Sequence, residues 1–323
     1  HNQPFHPKAL PQVFFIGNNH HGQCIFPAAG HIAVPTAAPR DWLSDGTLVL
    51  KTVAGYELTL LLADDNQLFA VGNNLNGQLG RGHSNRDDPD NRVPRPVTGF
   101  GLERITLVAA GYGHCAAVTE GGKVLLWGWN GAGQCGTGTA GGNVLAATRC
   151  DSGALADADV RVVFVACGYD HTEALTSDGG VIAFGHNYNG QLGTGNNDFR
   201  QPTPERLACA ALAGVRIVGC ATGDCFTQLV SDDGRVFATG HNRYGQLGTG
   251  DDLIVKFWEW KRAASQNDAG GAAAVSAAAV DGSPEYFTRW DGSAVEMEVT
   301  LPLTLPLALT LPLPLPLPLA LAL

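Results

Sequence analysis

From residue 13 to about residue 252 the apolar positions come in short runs separated by polar and glycine-rich breaks, and the runs come in pairs. The stretch HTEALTSDGGVIAFG, residues 171–185, sets an apolar run, the break Ser177-Asp178-Gly179-Gly180 and a second apolar run. That arrangement predicts two antiparallel strands joined by a tight turn. The same hairpin returns in CAAVTEGGKVLLWG, FTQLVSDDGRVFATG and LTLLLADDNQLFAVG, the last with Asn66 where the others place glycine. Asparagine is the next residue to tolerate a positive φ, so the exchange fits a turn. No segment before residue 260 carries a helical period of apolar residues over the length of a helix.

The hairpins recur at a fixed interval. The motif GxNxxGQ(L/C) begins at Gly17, Gly72, Gly128, Gly185 and Gly240, at steps of 55, 56, 57 and 55 residues. A second landmark, in VAGYELT, AAGYGHC, ACGYDHT and CATGDCF, sets Gly55, Gly111, Gly168 and Gly223 each 17 residues before a motif glycine. Two landmarks in fixed phase define a repeated structural unit. Short strands in one such unit leave their sheet faces bare unless neighbours stack on them, and radial stacking of four-stranded sheets gives a propeller. The fold class expected is all-β, a β-propeller with about five to six blades represented in an incomplete or atypical ring. An open arc would leave strand edges bare.

The string around these landmarks, a glycine and histidine before the hairpin and GxNxxGQLG after it, resembles the regulator-of-chromosome-condensation (RCC1-like) repeat family. The resemblance covers residues 13 to about 252. It implies a β-propeller, in that family usually of seven blades closed by strands from the two ends of the chain. Here the repeats open at VFFIGNNHHGQC without the preceding hairpin, and four landmark-to-landmark units follow. After Asp252 the pattern decays, although EYFTRWDGSAVEMEV sets Gly292 58 residues after Gly234 and so predicts a degenerate further hairpin. The family includes an exchange factor that expels nucleotide from a small GTPase of the Ran type, light sensors, ubiquitin-ligase modules and ciliary scaffolds. Fold does not choose among these. A light sensor of this kind calls for clustered tryptophans, and Trp129 is the one tryptophan at its motif position, with Trp127 in the adjoining strand.

Composition narrows the partners. With 323 residues and 45% hydrophobic content the chain suits a folded protein, and its net charge of −10 argues against a broad grip on nucleic acid or an anionic membrane. Eight cysteines occur without a CxxC pair, several in apolar runs such as FVACG around Cys167. They read as buried thiols in a reducing compartment, cytoplasmic or nuclear. No secretory leader is recognisable. The expected divisions are an extension at 1–12, the repeats at 13–252, a degenerate repeat or linker at 253–298 and a Leu/Pro low-complexity tail at 299–323. Prolines 302, 306, 312, 314, 316 and 318 deny that tail a continuous helix, so no membrane span is expected.

Candidate chemistry is sparse. GAGQCG at 131–136 matches GxGxxG in one repeat only, without the strand-to-helix setting of a dinucleotide site. No GKS or GKT follows a glycine loop, the x4 spacing of Cys220 and Cys225 lacks a second ligand pair, and His186 and His241 fall on separate blades, too far apart to share a metal. The expectation is a non-enzymatic protein with no catalytic residue, metal or cofactor. His114 and His171 share their repeat position with Leu58 and Phe226, which predicts a packing site with the histidines hydrogen-bonded within the blade.

Gly17, Gly72, Gly128, Gly185 and Gly240 are expected to end strands, and Gly77, Gly133, Gly190 and Gly245 to form a turn that side chains do not tolerate. The resemblance implies an architectural role for Gln23, Gln78, Gln134, Gln191 and Gln246, bonding to backbone in or between blades. The variable motif positions hold Trp129, His186, Tyr188, His241, Arg243 and Tyr244, expected to neighbour one another on one face as anchors for a partner, or else to pack locally. The linker at 81–97 carries Arg86, Asp87, Asp88, Asp90, Arg92 and Arg95, either a partner-binding loop or a solvated one. The function expected is a scaffold that binds another protein through this face, with guanine-nucleotide exchange on a small GTPase as the alternative; the oligomeric state stays open.

Overall fold

The computed structural model describes residues 13–26, 30–39, 41–44, 47–196 and 198–248, together with strand backbone at 261–262 and 295–298. Among the described residues nineteen strands and three short 3-10 turns make up the regular structure. One sheet pairs β1 (Phe14–Asn18) with β2 (His31–Ala37). Three four-stranded antiparallel sheets follow in chain order. The first holds β3 (Val49–Ala54), β4 (Leu58–Ala63), β5 (Leu68–Gly72) and β6 (Arg95–Pro96). The second holds β7 (Ile105–Ala110), β8 (His114–Thr119), β9 (Val124–Gly128) and β10 (Val144–Arg149). The third holds β11 (Val162–Cys167), β12 (His171–Thr176), β13 (Val181–His186) and β14 (Arg200–Arg206). The last sheet has β15 (Ile217–Thr222), β16 (Phe226–Ser231), β17 (Arg235–Gly240) and β18 (Lys261–Arg262), with β19 (Val295–Glu298) also pairing to β17.

These are the blades of a propeller, and β1 and β2 occupy the third and fourth strand positions of the first. Successive sheets pack face to face, β7 on β3, β11 on β7 and β8, and β15 on β11 and β12, and among the described residues the sheets form an arc that does not close into a ring. The hairpin expected around Gly292 lies outside the described residues apart from β19. The expected tail at 299–323 lies outside them too. No helix of the described residues is long and apolar enough to cross a membrane.

The second strand of each blade shows why the apolar runs are so uniform. In β8 every residue is buried, because alternate side chains enter two different cores. Cys115 and Ala117 pack with Leu58, Leu60 and Trp127 toward the preceding blade, while Ala116 and Val118 pack with Val165, Ile182 and Phe184 toward the next. Blade-to-blade burial thus replaces the alternation of a sheet with one wet face.

Hairpin turns on one side of the arc obey the expectation. Asn66 has φ of 68°, and its side chain also accepts from Ile105 N at 2.8 Å in the next blade. The motif glycines do more than end strands. At Gly128, φ is 98° and an added Cβ would stand 2.4 Å from the Gly113 carbonyl oxygen, so space and backbone shape both exclude a side chain. The turn glycines Gly77, Gly133, Gly190 and Gly245 all adopt left-handed φ, between 66° and 86°.

One recurring hydrogen-bond pattern, beside backbone bonds such as Val162 N to Gly122 O at 2.9 Å and Ile217 N to Gly179 O at 3.0 Å, links successive blades. The side-chain Oε1 of every motif glutamine accepts from the backbone two residues earlier: His21 to Gln23 at 3.0 Å, Asn76 to Gln78 at 2.8 Å, Ala132 to Gln134 at 2.8 Å, Asn189 to Gln191 at 2.9 Å and Tyr244 to Gln246 at 2.8 Å. That bond holds the turn, and the glutamine's own carbonyl then faces the next blade. It accepts from Thr59 on Gln23 at 2.9 Å, from Thr172 on Gln134 at 2.8 Å and from Thr227 on Gln191 at 2.8 Å. On Gln78 the partners are Trp127 Nε1 at 3.0 Å and Cys115 Sγ at 3.6 Å.

The buried histidines extend this chain. His114 Nε2 lies 2.9 Å from Thr172 Oγ1 and His171 Nε2 lies 3.1 Å from Thr227 Oγ1. Since each hydroxyl hydrogen goes to a glutamine carbonyl, the imidazole is the donor. These bonds run between blades and not within one, which corrects the expectation, because the ring at this position points along the stacking direction. Landmark glycine makes the room: a Cβ on Gly168 would meet His171 Cε1 at 2.1 Å. Burial holds both imidazoles neutral, each with its pKa lowered to about 3.

Thr172→Val should therefore strip Gln134 and His114 of a buried partner at once and lower stability by about 2–4 kcal/mol. Thr148, exposed on β10 with its hydroxyl donating to Ala146 O at 2.9 Å, is the control, with Thr148→Val expected within about 0.5 kcal/mol of the parent. Urea denaturation of the two variants makes the comparison.

Candidate functional site

The landmark turn and the motif turn fall on the same face, because the first strand of a blade ends where the second begins and where the third ends. Trp129 N donates to Gly113 O at 2.7 Å, tying one turn to the other. Each motif asparagine is buried and builds its own loop. Asn130 Oδ1 accepts from Cys135 N at 3.0 Å, and its amide donates to Thr139 O at 3.1 Å; Asn74 makes the equivalent bonds to Leu79 N at 3.1 Å and His83 O at 3.1 Å. These asparagines were legible as constants of GxN, but the constant glycines and glutamines drew the reading away from them.

Of the two arrangements expected for the variable motif residues, the ring contacts of His186, Tyr188, His241 and Tyr244 show the local one, while Trp129 reaches the next blade. Ring contacts run within a motif: His186 to Tyr188 at 6.3 Å, with Phe199 4.9 Å from His186, and His241 to Tyr244 at 6.4 Å, with Arg243 over Tyr244 at 5.8 Å. Tyr188 and Tyr244 are about half exposed, at 47% and 53%. His241 is buried, its Nδ1 2.7 Å from Gln246 Nε2, and burial beside Arg243 lowers its pKa to about 4. It supports the turn and offers no surface to a partner. Trp129 turns toward the axis and meets Tyr112 at 6.4 Å and Tyr169 at 6.5 Å.

The loop at 81–97 lies against the outer part of the same face. Arg81 pins it through Asp90 O at 2.9 Å and Val93 O at 3.0 Å, and a 3-10 turn, Pro89–Arg92, is capped by Asp88 accepting from Asp90 N at 3.0 Å. Arg92 lies over Gly22 of the preceding blade and donates to His20 O, an architectural role. Arg86, Asp87, Asp88 and Arg92 line a polar hollow with His21, while Asp90 pairs with Arg95 at 3.1 Å outside it.

At the inner edge of the face the residue after each landmark glycine forms a ladder across four blades. Tyr56 and Tyr112 rings lie 4.5 Å apart, Tyr112 and Tyr169 stack at 4.0 Å, and the fourth rung is Asp224. These four side chains line a cleft of about 230 Å³ between β3, β7, β11 and β15. Asp170 stands beside the last rung. Burial, reinforced by the Asp224 charge and opposed by Arg200, raises its carboxyl to about 7; burial raises Asp224 to about 6. Burial, the hydrogen bond to Tyr112 and the two carboxylates push the Tyr169 hydroxyl above the ordinary tyrosine range. The tyrosines carry the same phase as the landmark glycines, a signal present in the sequence and passed over.

No group of three or more histidine, cysteine, aspartate or glutamate side chains among the described residues could hold a metal ion. The eight cysteines are free, four buried and four only partly so, among them Cys167, which was expected to be buried.

Stacked four-stranded blades with a repeated turn face define a β-propeller. The chain belongs to the RCC1-like domain family, whose model matches residues 9–279. It is 32% identical over 215 residues to the ultraviolet-B receptor UVR8 of Arabidopsis thaliana, a match over 64% of this chain and 46% of the receptor. It is 35% identical over 210 residues to the human probable E3 ubiquitin-protein ligase HERC3, over 64% of this chain and 19% of the ligase. The chain thus spans less than half the length of either relative. Among solved structures it resembles human WBSCR16, with a TM-score of 0.67 and 25% identity over 77% of this chain and 60% of that one. Yeast RCC1 (Prp20) bound to Kap60 aligns with a TM-score of 0.57 and 25% identity over 67% of this chain and 48% of the other.

The raised carboxyls give a pH signature with a definite sign. Folding favours the protonated form of Asp170, so its contribution turns against the fold as pH rises from about 4, the unfolded value, through about 7. Asp170→Asn is expected to raise the denaturation midpoint at pH 8 and to converge with the parent near pH 4. Thermal melts between those limits read the difference.

Proposed function

We propose that this chain is a non-enzymatic scaffold whose landmark-and-motif face binds another protein. The supporting observation is the gathering of half-exposed Tyr188 and Tyr244, the charged loop at 81–97 and the tyrosine-lined cleft on one face of rigidly latched blades. Aromatic side chains held by packing contribute contact area at small entropic cost, which is why they anchor interfaces. Ubiquitin-ligase relatives carry an RCC1-like region within much longer chains, consistent with a module that supplies binding and leaves chemistry to other parts. Exchange activity on a Ran-type GTPase is the second reading that the family suggests, and no residue of this face is specific to it.

A photo-crosslinking residue placed at 188 or 244 of the full chain is expected to trap a partner from cells, and the same residue at 120, on the opposite turns, to trap none of it. Equal capture from all three positions would remove the assignment of the face. Incubation with a Ran-type GTPase loaded with labelled GDP is expected to leave release at its intrinsic rate; acceleration would establish the exchange reading in its place.

A further inference from the structure

We propose that the cleft at the inner edge of the face is a socket for one arginine side chain carried by the protein partner. This deepens the reading of the face as a protein-binding surface and rests on it. The ladder supplies the reason. Three successive blades place a tyrosine after the landmark glycine: Tyr112 and Tyr169 stack with ring centroids 4.0 Å apart, and Tyr56 lies tilted against Tyr112 at 4.5 Å. In the fourth blade the equivalent residue is Asp224, so the aromatic column ends against a carboxylate. A guanidinium is planar, stacks on aromatic rings and pairs with carboxylates through a rigid fork of donors, so it satisfies both ends of such a site. An ammonium pairs with the carboxylate but cannot continue a stack.

Size and charge agree with that occupant. The cleft holds about 230 Å³, below the range of about 300–1,000 Å³ for pockets that take small-molecule ligands, which suits a single side chain. Asp170 is not among the residues lining the cleft; its Oδ1 is buried and has no hydrogen-bond partner among the described residues. Arg200 is close enough to Asp170 to lower its carboxyl, but its guanidinium also lies over Phe199 at 5.1 Å, on the outer side of the motif. The Asp224 carboxyl at the end of the aromatic column favours an incoming cation, and the net charge of −10 opposes a second copy of this chain as its source.

The test uses the full chain and three blocked tripeptides, Gly-Arg-Gly, Gly-Lys-Gly and Gly-citrulline-Gly, followed by chemical-shift titration of the tyrosine ring signals. Citrulline keeps the planar shape and removes the charge. The arginine peptide is expected to shift the Tyr112 and Tyr169 signals and to bind at least tenfold more tightly than either of the others. Asp224→Asn is expected to reduce that advantage, while Tyr169→Phe keeps it. Equal binding of arginine and citrulline peptides, or no binding of either, overturns the proposal, and this comparison on the unaltered protein decides even where a variant fails to fold. The broader reading fails separately: crosslinks at 188 and 244 with no arginine preference in the cleft leave the face and remove the socket, whereas arginine binding without face-specific crosslinks does the reverse.

Discussion

The blades are latched by a bond repeated from one to the next, a hydroxyl, thiol or indole of one blade donating to the backbone carbonyl of the preceding blade's motif glutamine, alongside backbone bonds such as Val162 N to Gly122 O at 2.9 Å. The glutamine side chain, through the bond from the residue two places earlier, and the motif asparagine, through the bond from the residue five places later, close the turn that presents this carbonyl. Loss of the bond between blades would leave a buried carbonyl facing the next sheet, at a cost of about 1–3 kcal/mol. Packing alone would tolerate small slips between sheets, since the interface is a dry mixture of Leu, Val and Ala side chains. The hydrogen bond removes that freedom and fixes the angular step. In this sense the repeat length and the glutamine are two expressions of one constraint: the next donor must arrive one blade later at the right height.

Much of this was legible because the repeat prints each structural need several times over. Hairpins were readable from paired apolar runs, and Asn66 identified its own turn by standing where three other units have glycine. The phase between Gly168 and Gly185 revealed a unit, yet it did not reveal that Gly168 exists to clear His171, since that contact depends on how one strand lies over another. His114 and His171 were placed correctly as interior residues, but the direction of their bonds follows from the stacking of blades, which sequence spacing does not encode.

The functional face was harder to read for a physical reason. Variable positions beside a conserved-looking turn can point outward, inward or along the turn, and the period is the same in each case. His186 and His241 both bond back to a motif glutamine, at 2.9 and 2.7 Å, so their variation with Trp129 and Asn73 reflects local support as much as recognition. Arg92 likewise proved to be a strut across Gly22 within a loop whose other charges face the hollow.

The division of labour within the motif follows from these contacts. Asparagine, glutamine and glycine occupy positions where another residue would lose a buried bond, strike a neighbour or strain a left-handed backbone, so they repeat. The residue after the landmark glycine meets its counterparts only across the axial cleft, where stacking rewards an aromatic but no backbone bond requires one. Three tyrosines can therefore be followed by an aspartate without disturbing the latch between Thr227 and Gln191, which holds at 2.8 Å in that same blade pair. The scaffold is thus insensitive to the identity of the rungs, and that independence is what allows a binding site to be built on it.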